Sequence, residues 1–294
     1  NGRHDRRAAV RRRSGRGRGR GRGRAHDKRH AHPRHHCNRV SGNLRALQER
    51  EAHEPRHCPA RREGDGWVLN GTKLFITNGV HADVYFVAAK TGPGKHQMSM
   101  FIVEKGTPGF TVGRSLEKTG WLCSDTAELV FDNVRLGPQA LLGEQDKGFY
   151  ALMKNLQTER IALAAMAVGH CQRAIALTLD YVRQRQAFGQ RLGDMQHIRQ
   201  RVAMLDAKTR AARQFMYHCA WSVTQGHDIV QEVSMLKALT GDLVNEVVGG
   251  CLQFWGGMGY MREAPIERLW RDARVLAIGG GATEVMLEEV AKRY

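Results

Sequence analysis

Three apolar stripes in the second half of the chain fix what it can fold into. Ile161, Ala165, Val168, Cys171, Ile175, Leu179 and Val182 advance by threes and fours. So do Ile198, Val202, Leu205, Thr209, Ala212, Met216, Cys219 and Val223, and again Val233, Leu236, Thr240, Leu243, Val247, Gly250 and Phe254. That period belongs to a helix that hides one face, so three long amphipathic helices are expected within residues 141–294. Segments 185–193, 225–228 and 256–259 break the pattern. Short breaks between long helices give antiparallel packing in a bundle. A shorter helix is expected from Pro265, whose fixed φ suits a first turn, and another from near Thr283.

Residues 63–140 carry a different period. Val68 to Ile76 reads as a hairpin about Asn70-Gly71, because both central residues of a type I′ turn need positive φ. Further short strands are expected at 84–89, 98–104, 110–112 and 127–131, punctuated by Gly92-Pro93-Gly94 and Thr107-Pro108-Gly109. Strands so spaced suggest an antiparallel barrel or sandwich. The expected class is therefore α+β: a partial β domain at 63–140, then a four-helix-bundle-type domain at 141–294.

The charge needs placing before it is interpreted. The chain has 46 Lys+Arg against 29 Asp+Glu, a net +17. Residues 1–62 hold 20 and 5 of these, or +15, which leaves 26 and 24, or +2, for the rest. The patterned part is near neutral, which argues against it as a nucleic-acid binder. Residues 1–62 alternate Gly and Arg from Gly15 to Arg24 and hold eight of the 14 histidines, without apolar periodicity. Disorder is expected there. The composition also fits GC-rich DNA read out of frame or a misassigned start. An Arg-Gly RNA-binding tail would lack the interleaved aromatic residues such tails use, and a transit peptide would lack an amphipathic pattern. The six cysteines form no CxxC pair, which suits single buried thiols rather than disulfides or zinc, and no metal site is expected. No run of 18 apolar residues marks a membrane span.

Five motifs, in order, resemble the acyl-CoA dehydrogenase family of flavoproteins. They are Phe75-Ile76-Thr77-Asn78-Gly79, Cys123-Ser124-Asp125-Thr126-Ala127-Glu128-Leu129, and Arg185-Gln186-Ala187-Phe188-Gly189-Gln190 with Gln196. Then come Gln253-Phe254-Trp255-Gly256-Gly257-Met258-Gly259-Tyr260 and Arg271-Asp272-Ala273-Arg274. The resemblance covers residues 63–294. It implies a helical N-terminal domain, a middle β domain and a C-terminal bundle, of which the first and the opening of the second have no counterpart here. The chain is thus expected to be N-terminally incomplete.

The resemblance also implies roles. FAD would be held by Phe75 and Thr77 at the ring, by Arg185 at the pyrophosphate, by Phe188 near adenine, and by Gln196, Gln253, Gly256 and Gly257 toward the adenylate. Some of these contacts would cross a subunit boundary, which implies a homodimer or homotetramer. The usual base, a glutamate in the terminal signature, is replaced by Gly280 within Gly279-Gly280-Gly281. Long- and branched-chain members place it on the first long helix, which here selects Glu159 in Gln157-Thr158-Glu159-Arg160. Glu159 would open that helix, and burial would raise its pKa toward working pH. Glu284 falls one helical turn too late. The Gly280 backbone N–H would help bind the thioester oxygen, and Arg160 the substrate. The implied reaction is α,β-dehydrogenation of a long- or branched-chain acyl-CoA, with electrons passed to an electron-transferring flavoprotein. The implied location is the bacterial cytoplasm or the mitochondrial matrix. Two other readings stand beside it: a non-catalytic relative that pairs with full-length members, and an RNA-binding protein acting through the basic tail.

Overall fold

The structure, a computed structural model, describes residues 58–294. Residues 1–57, which hold most of the segment expected to be disordered, lie outside the described residues.

The strands β1 (Ala60–Glu63), β2 (Gly66–Thr77), β5 (Phe110–Ser115) and β6 (Thr126–Leu136) form one antiparallel sheet of order β1-β2-β6-β5. A second antiparallel sheet holds β3 (Val84–Lys90), β4 (Met98–Glu104) and β7 (Leu141–Leu142). Alternation turns Leu69, Leu129, Phe131 and Val134 of the first sheet toward Tyr85, Val87, Phe101 and Val103 of the second, and all are buried. Trp67 meets Phe101 edge-on at 5.3 Å, and Tyr85 meets Phe110 at 4.8 Å. These tilted aromatic pairs knit the two layers beyond what buried area alone contributes. The β part is therefore a sandwich.

Asn70-Gly71 does not reverse the chain. β2 runs through it as one strand, and its register against β6 shifts between Leu69 and Gly71. Gly71 adopts φ 125°, and Asn70 Oδ1 accepts the Asn133 N–H at 2.8 Å across the irregularity. The reversal falls at Gly64-Asp65, with Gly64 at φ 63°. An Asn-Gly pair supplies positive φ to a bulge as readily as to a turn, and the pairing on either side decides which. The sheet also starts earlier than residue 63: Ala60 opens β1, and Cys58 and Ala60 are buried in the sandwich.

The helical half follows. α1 (Gly148–Gln184), α2 (Gln196–Thr224) and α3 (Val230–Phe254) are long, and α4 (Pro265–Ala273) and α5 (Thr283–Ala291) are short. A small hairpin of β8 (Gln186–Ala187) and β9 (Gln190–Arg191) joins α1 to α2. Val168, Cys171 and Ile175 of α1 share a core with Val202 and Leu205 of α2 and Val244, Val247 and Cys251 of α3. Two expected stripe positions, Ala165 and Val223, are exposed, and their neighbours Ala164 and Ser222 are buried instead. Steps of three and four only approximate 3.6 residues per turn, so a long stripe drifts by one position.

α1 begins at Gly148, so Glu159 lies several turns inside the helix rather than opening it. The residues before it, Phe149 to Leu156, are mostly good helix formers, and Leu152, Met153 and Leu156 are partly buried. α1 is long and apolar enough to cross a membrane by length and composition alone; here one of its faces is bundle core.

Candidate active site

The expected site residues fall into three groups. The first lies where the glycine run meets α1. Gly280 adopts φ 70° and Gly281 φ 110°, a left-handed pair that an ordinary side chain would strain. A Cβ added at Gly280 would come within 2.2 Å of Leu163 Cδ1. Leu163 is four residues after Glu159, on the same face of α1. The turn therefore rests one helical turn from the Glu159 carboxylate, and the missing side chain is what lets it approach. The Gly280 N–H has no acceptor among the described residues.

Glu159 is exposed, and its Oε1 accepts Asn155 Nδ2 at 2.5 Å. The burial expected around it is not found. Arg160 is half-buried, and its Nε is enclosed without a hydrogen-bond partner among the described residues. Burial holds its pKa below the usual arginine value, helped by the like charge of Arg293 and opposed by Glu289 and Glu159.

The second group sits at the far end of α1. Tyr181 stacks on Trp255 at 4.2 Å and donates its hydroxyl to Trp255 O at 3.3 Å, and Trp255 Nε1 donates to Thr178 Oγ1 at 3.2 Å. These contacts bring Gln253, Gly256 and Gly257 to the end of α1, one turn from Arg185. Gly256 adopts φ 55°, and neither Gly256 nor Gly257 has any atom within 4 Å of where a Cβ would stand. Phe188, at the tip of the small hairpin, is 93% exposed with φ 54°. Gln196 is the exposed first residue of α2.

The third group is the end of β2. Phe75 is 62% exposed with φ 62°, and Thr77 is exposed. A bulky residue held in the left-handed region stores about 1–2 kcal/mol of strain, which clusters at ligand-binding positions. This edge is tied to the bundle through a chain of contacts that was not expected. Asp272 Oδ1 accepts the Trp121 N–H at 2.6 Å, and Asp272 O accepts Trp121 Nε1 at 3.0 Å. Trp121 O accepts the Ser124 N–H at 3.1 Å. Asp125 then holds the backbone just past Thr77, accepting the Asn78 N–H on its carbonyl at 3.1 Å and the Val80 N–H on its carboxylate at 2.6 Å.

Lys237 was also missed. It is 1% exposed and its Nζ donates to Gly281 O at 2.5 Å. The signal was in the third stripe: a lysine four residues after Val233 occupies a core position. Among the described residues all five cysteines are free, and no cluster could hold a metal ion.

A sandwich leading into a bundle, with a glycine turn pressed on the first long helix, defines a family. Residues 146–294 match the acyl-CoA dehydrogenase C-terminal domain, and residues 51–134 its middle domain. The chain belongs to the acyl-CoA dehydrogenase family. Among its relatives, the mitochondrial long-chain specific acyl-CoA dehydrogenase of Mus musculus is 41% identical over 242 residues, which is 80% of this chain and 55% of that protein. An acyl-CoA dehydrogenase of Bacillus subtilis is 40% identical over 235 residues, 79% of this chain and 62% of that one. The crystal structure of a probable acyl CoA dehydrogenase from Mycobacterium abscessus superposes with a TM-score of 0.79 at 42% identity, covering 81% of this chain and 63% of that one. The chain thus spans a little over half the length of the curated relatives it matches.

Proposed function

We propose that this chain acts in the α,β-dehydrogenation of an acyl-CoA thioester with a long or branched acyl group, with Glu159 as the base. The observation that carries the reading is the seating of Gly280 against Leu163, one turn from Glu159. A relocated carboxylate needs the vacated position to be small and close, and both conditions hold.

The chain's own residues then divide the work. Glu159 takes the proton from the substrate Cα, and Asn155 orients its carboxylate. The free Gly280 N–H donates to the thioester oxygen as negative charge develops there. Arg160, beside the base, supplies a cation toward the substrate. The residues fit FAD: exposed rings at Phe75 and Phe188, a hydroxyl at Thr77, the planar fork of Arg185 for pyrophosphate, polar side chains at Gln196 and Gln253, and an open backbone at Gly256 and Gly257 for close approach. When bound, FAD supplies the two-electron acceptor for the hydride leaving Cβ. The electrons then pass to an electron-transferring flavoprotein, and the working form is a homodimer or homotetramer.

Glu159→Gln keeps the shape and removes the basicity. In the FAD-loaded chain it should retain the yellow colour and acyl-CoA binding, while turnover falls about 10²–10⁴-fold. Near-normal turnover would defeat the assignment and turn attention to Glu284, exposed in the first turn of α5.

A further inference from the structure

Between its anchors the glycine turn has little to hold it. Upstream, Val275 O accepts the Ile278 N–H at 2.9 Å and the Gly279 N–H at 2.8 Å. Downstream, Thr283 Oγ1 donates to Asp242 Oδ1 at 3.1 Å as α5 begins. Gly280 and Gly281 lie between, and glycine populates both signs of φ with nearly equal ease. Nothing in their own chemistry selects φ 70° and φ 110°.

Leu163 and Met286 pack against this gap, but among the described residues Lys237 is the one side chain that hydrogen-bonds into it, from α3 to Gly281 O. A lysine this deeply enclosed is costly unless its amine is used. Burial pushes its pKa down, and the nearby Arg160 cation adds to that, against Asp242 and Glu284. An apolar side chain of the same length would fit the core without that cost. α3 also approaches the same segment closely at Gly241, where a Cβ would lie 3.0 Å from Leu276 O. The helix is therefore a firm base for the contact.

We propose that Lys237 is a positioning residue: by holding Gly281 O it fixes the glycine turn so that the Gly280 N–H faces the site. The proposal rests on the reading of Gly280 as a thioester-oxygen donor. It adds that the donor is aimed from α3 and not by the turn itself.

The test compares the unmodified full chain with Lys237→Met, which keeps the length and removes the donor, and Lys237→Arg, which restores a donor. Amide hydrogen exchange is read without ligand. In Lys237→Met, exchange across residues 279–283 should quicken about tenfold or more while α1 and α2 are unchanged, because only a local opening is made easier. Lys237→Arg should recover most of the protection. Should the Met chain fail to fold, Lys237→Gln, with a shorter and uncharged donor, is expected to show the same local change at about threefold. Unchanged exchange at 279–283, or loosening spread over the whole bundle, would overturn the proposal.

A second arm separates it from the reading beneath it. An acyl-CoA analogue with sulfur at C3 ionises at Cα, and its acidity when bound to the FAD-loaded chain reports stabilisation of the thioester oxygen. Lys237→Met should weaken that acidity about tenfold. Local loosening without this change would keep Lys237 as the anchor of the turn and refute Gly280 as the oxygen's donor.

Discussion

Replacing Asp272 by alanine should be felt at the far edge of the β sandwich. The substitution removes the carboxylate that accepts the Trp121 N–H at 2.6 Å. A hydrogen bond to a charged acceptor contributes about 1.5–3 kcal/mol, and the lower end applies to this half-buried pair. Trp121 sits at φ 52°. That conformation costs a non-glycine residue about 1–2 kcal/mol. With the bond gone, the strain is unopposed and the loop relaxes away. Ser124 and Asp125 move with it, and Asp125 is what holds the backbone beyond Thr77. If the relaxed form is favoured by about 1 kcal/mol, roughly one molecule in six keeps the competent edge, and the apparent Kd for FAD rises about sixfold. Tryptic cleavage after Lys118 should quicken in parallel, since Lys118 is pinned within the same loop by Ser124 O at 2.6 Å. Asp272→Asn keeps an oxygen acceptor and should stay within about twofold of the unmodified chain. FAD titration and timed proteolysis read both effects. If Ala leaves both unchanged, or Asn is as damaging as Ala, the chain of contacts does not transmit position and the reasoning is wrong.

Other outcomes follow from the same geometry. Moving the base, by Glu159→Gln with Gly280→Glu, should restore little turnover alone, because the new side chain meets Leu163 and a φ of 70°; adding Leu163→Ala should raise the recovery, and equal activity with and without it would refute the steric argument. Burial pushes the Cys171 thiol up to about 12 and those of Cys219 and Cys251 up to about 11. A folded pKa above the unfolded value stabilises fully below about pH 8.5 and less as pH rises, by up to about 1.4 kcal/mol per unit for each thiol. The urea midpoint should therefore fall between pH 9 and 11, less so in Cys219→Ala, and a flat profile would contradict this. FAD retention should track association of chains on dilution; a monomer by light scattering that keeps stoichiometric FAD would break the link.

The helical half was legible because burial dominates there and repeats every turn. Val202, Leu205, Thr209, Ala212, Met216 and Cys219 are all buried where the stripe placed them. The start of α1 was not legible, because its first turns carry no stripe; they pack against the sandwich edge, where Gly148 lies close to the backbone of Ser99 and Met100. The Asn70-Gly71 error has a similar origin, since local turn chemistry cannot register that β6 pairs on both sides of it. In the site, the family resemblance singled out Glu159 and Gly280, and the contact through Leu163 needed coordinates. Lys237 could have been noticed as a lysine at a core position of the third stripe, but its partner, like that of Asp272, is a backbone atom, which leaves no trace in side-chain pattern.

α1 also works as a ruler. Glu159 and Arg185 are 26 residues apart along α1, the first about three turns inside the helix and the second just past its C-terminal end. At 1.5 Å per residue they are separated by about 39 Å. An extended dinucleotide is shorter than that span. A cofactor whose ring lies by Glu159 cannot also place its pyrophosphate on the Arg185 of the same chain. If both residues do what is proposed for them, each FAD is shared, ring to one copy and phosphates to another. The helix length then sets the number of chains in the smallest working unit at two.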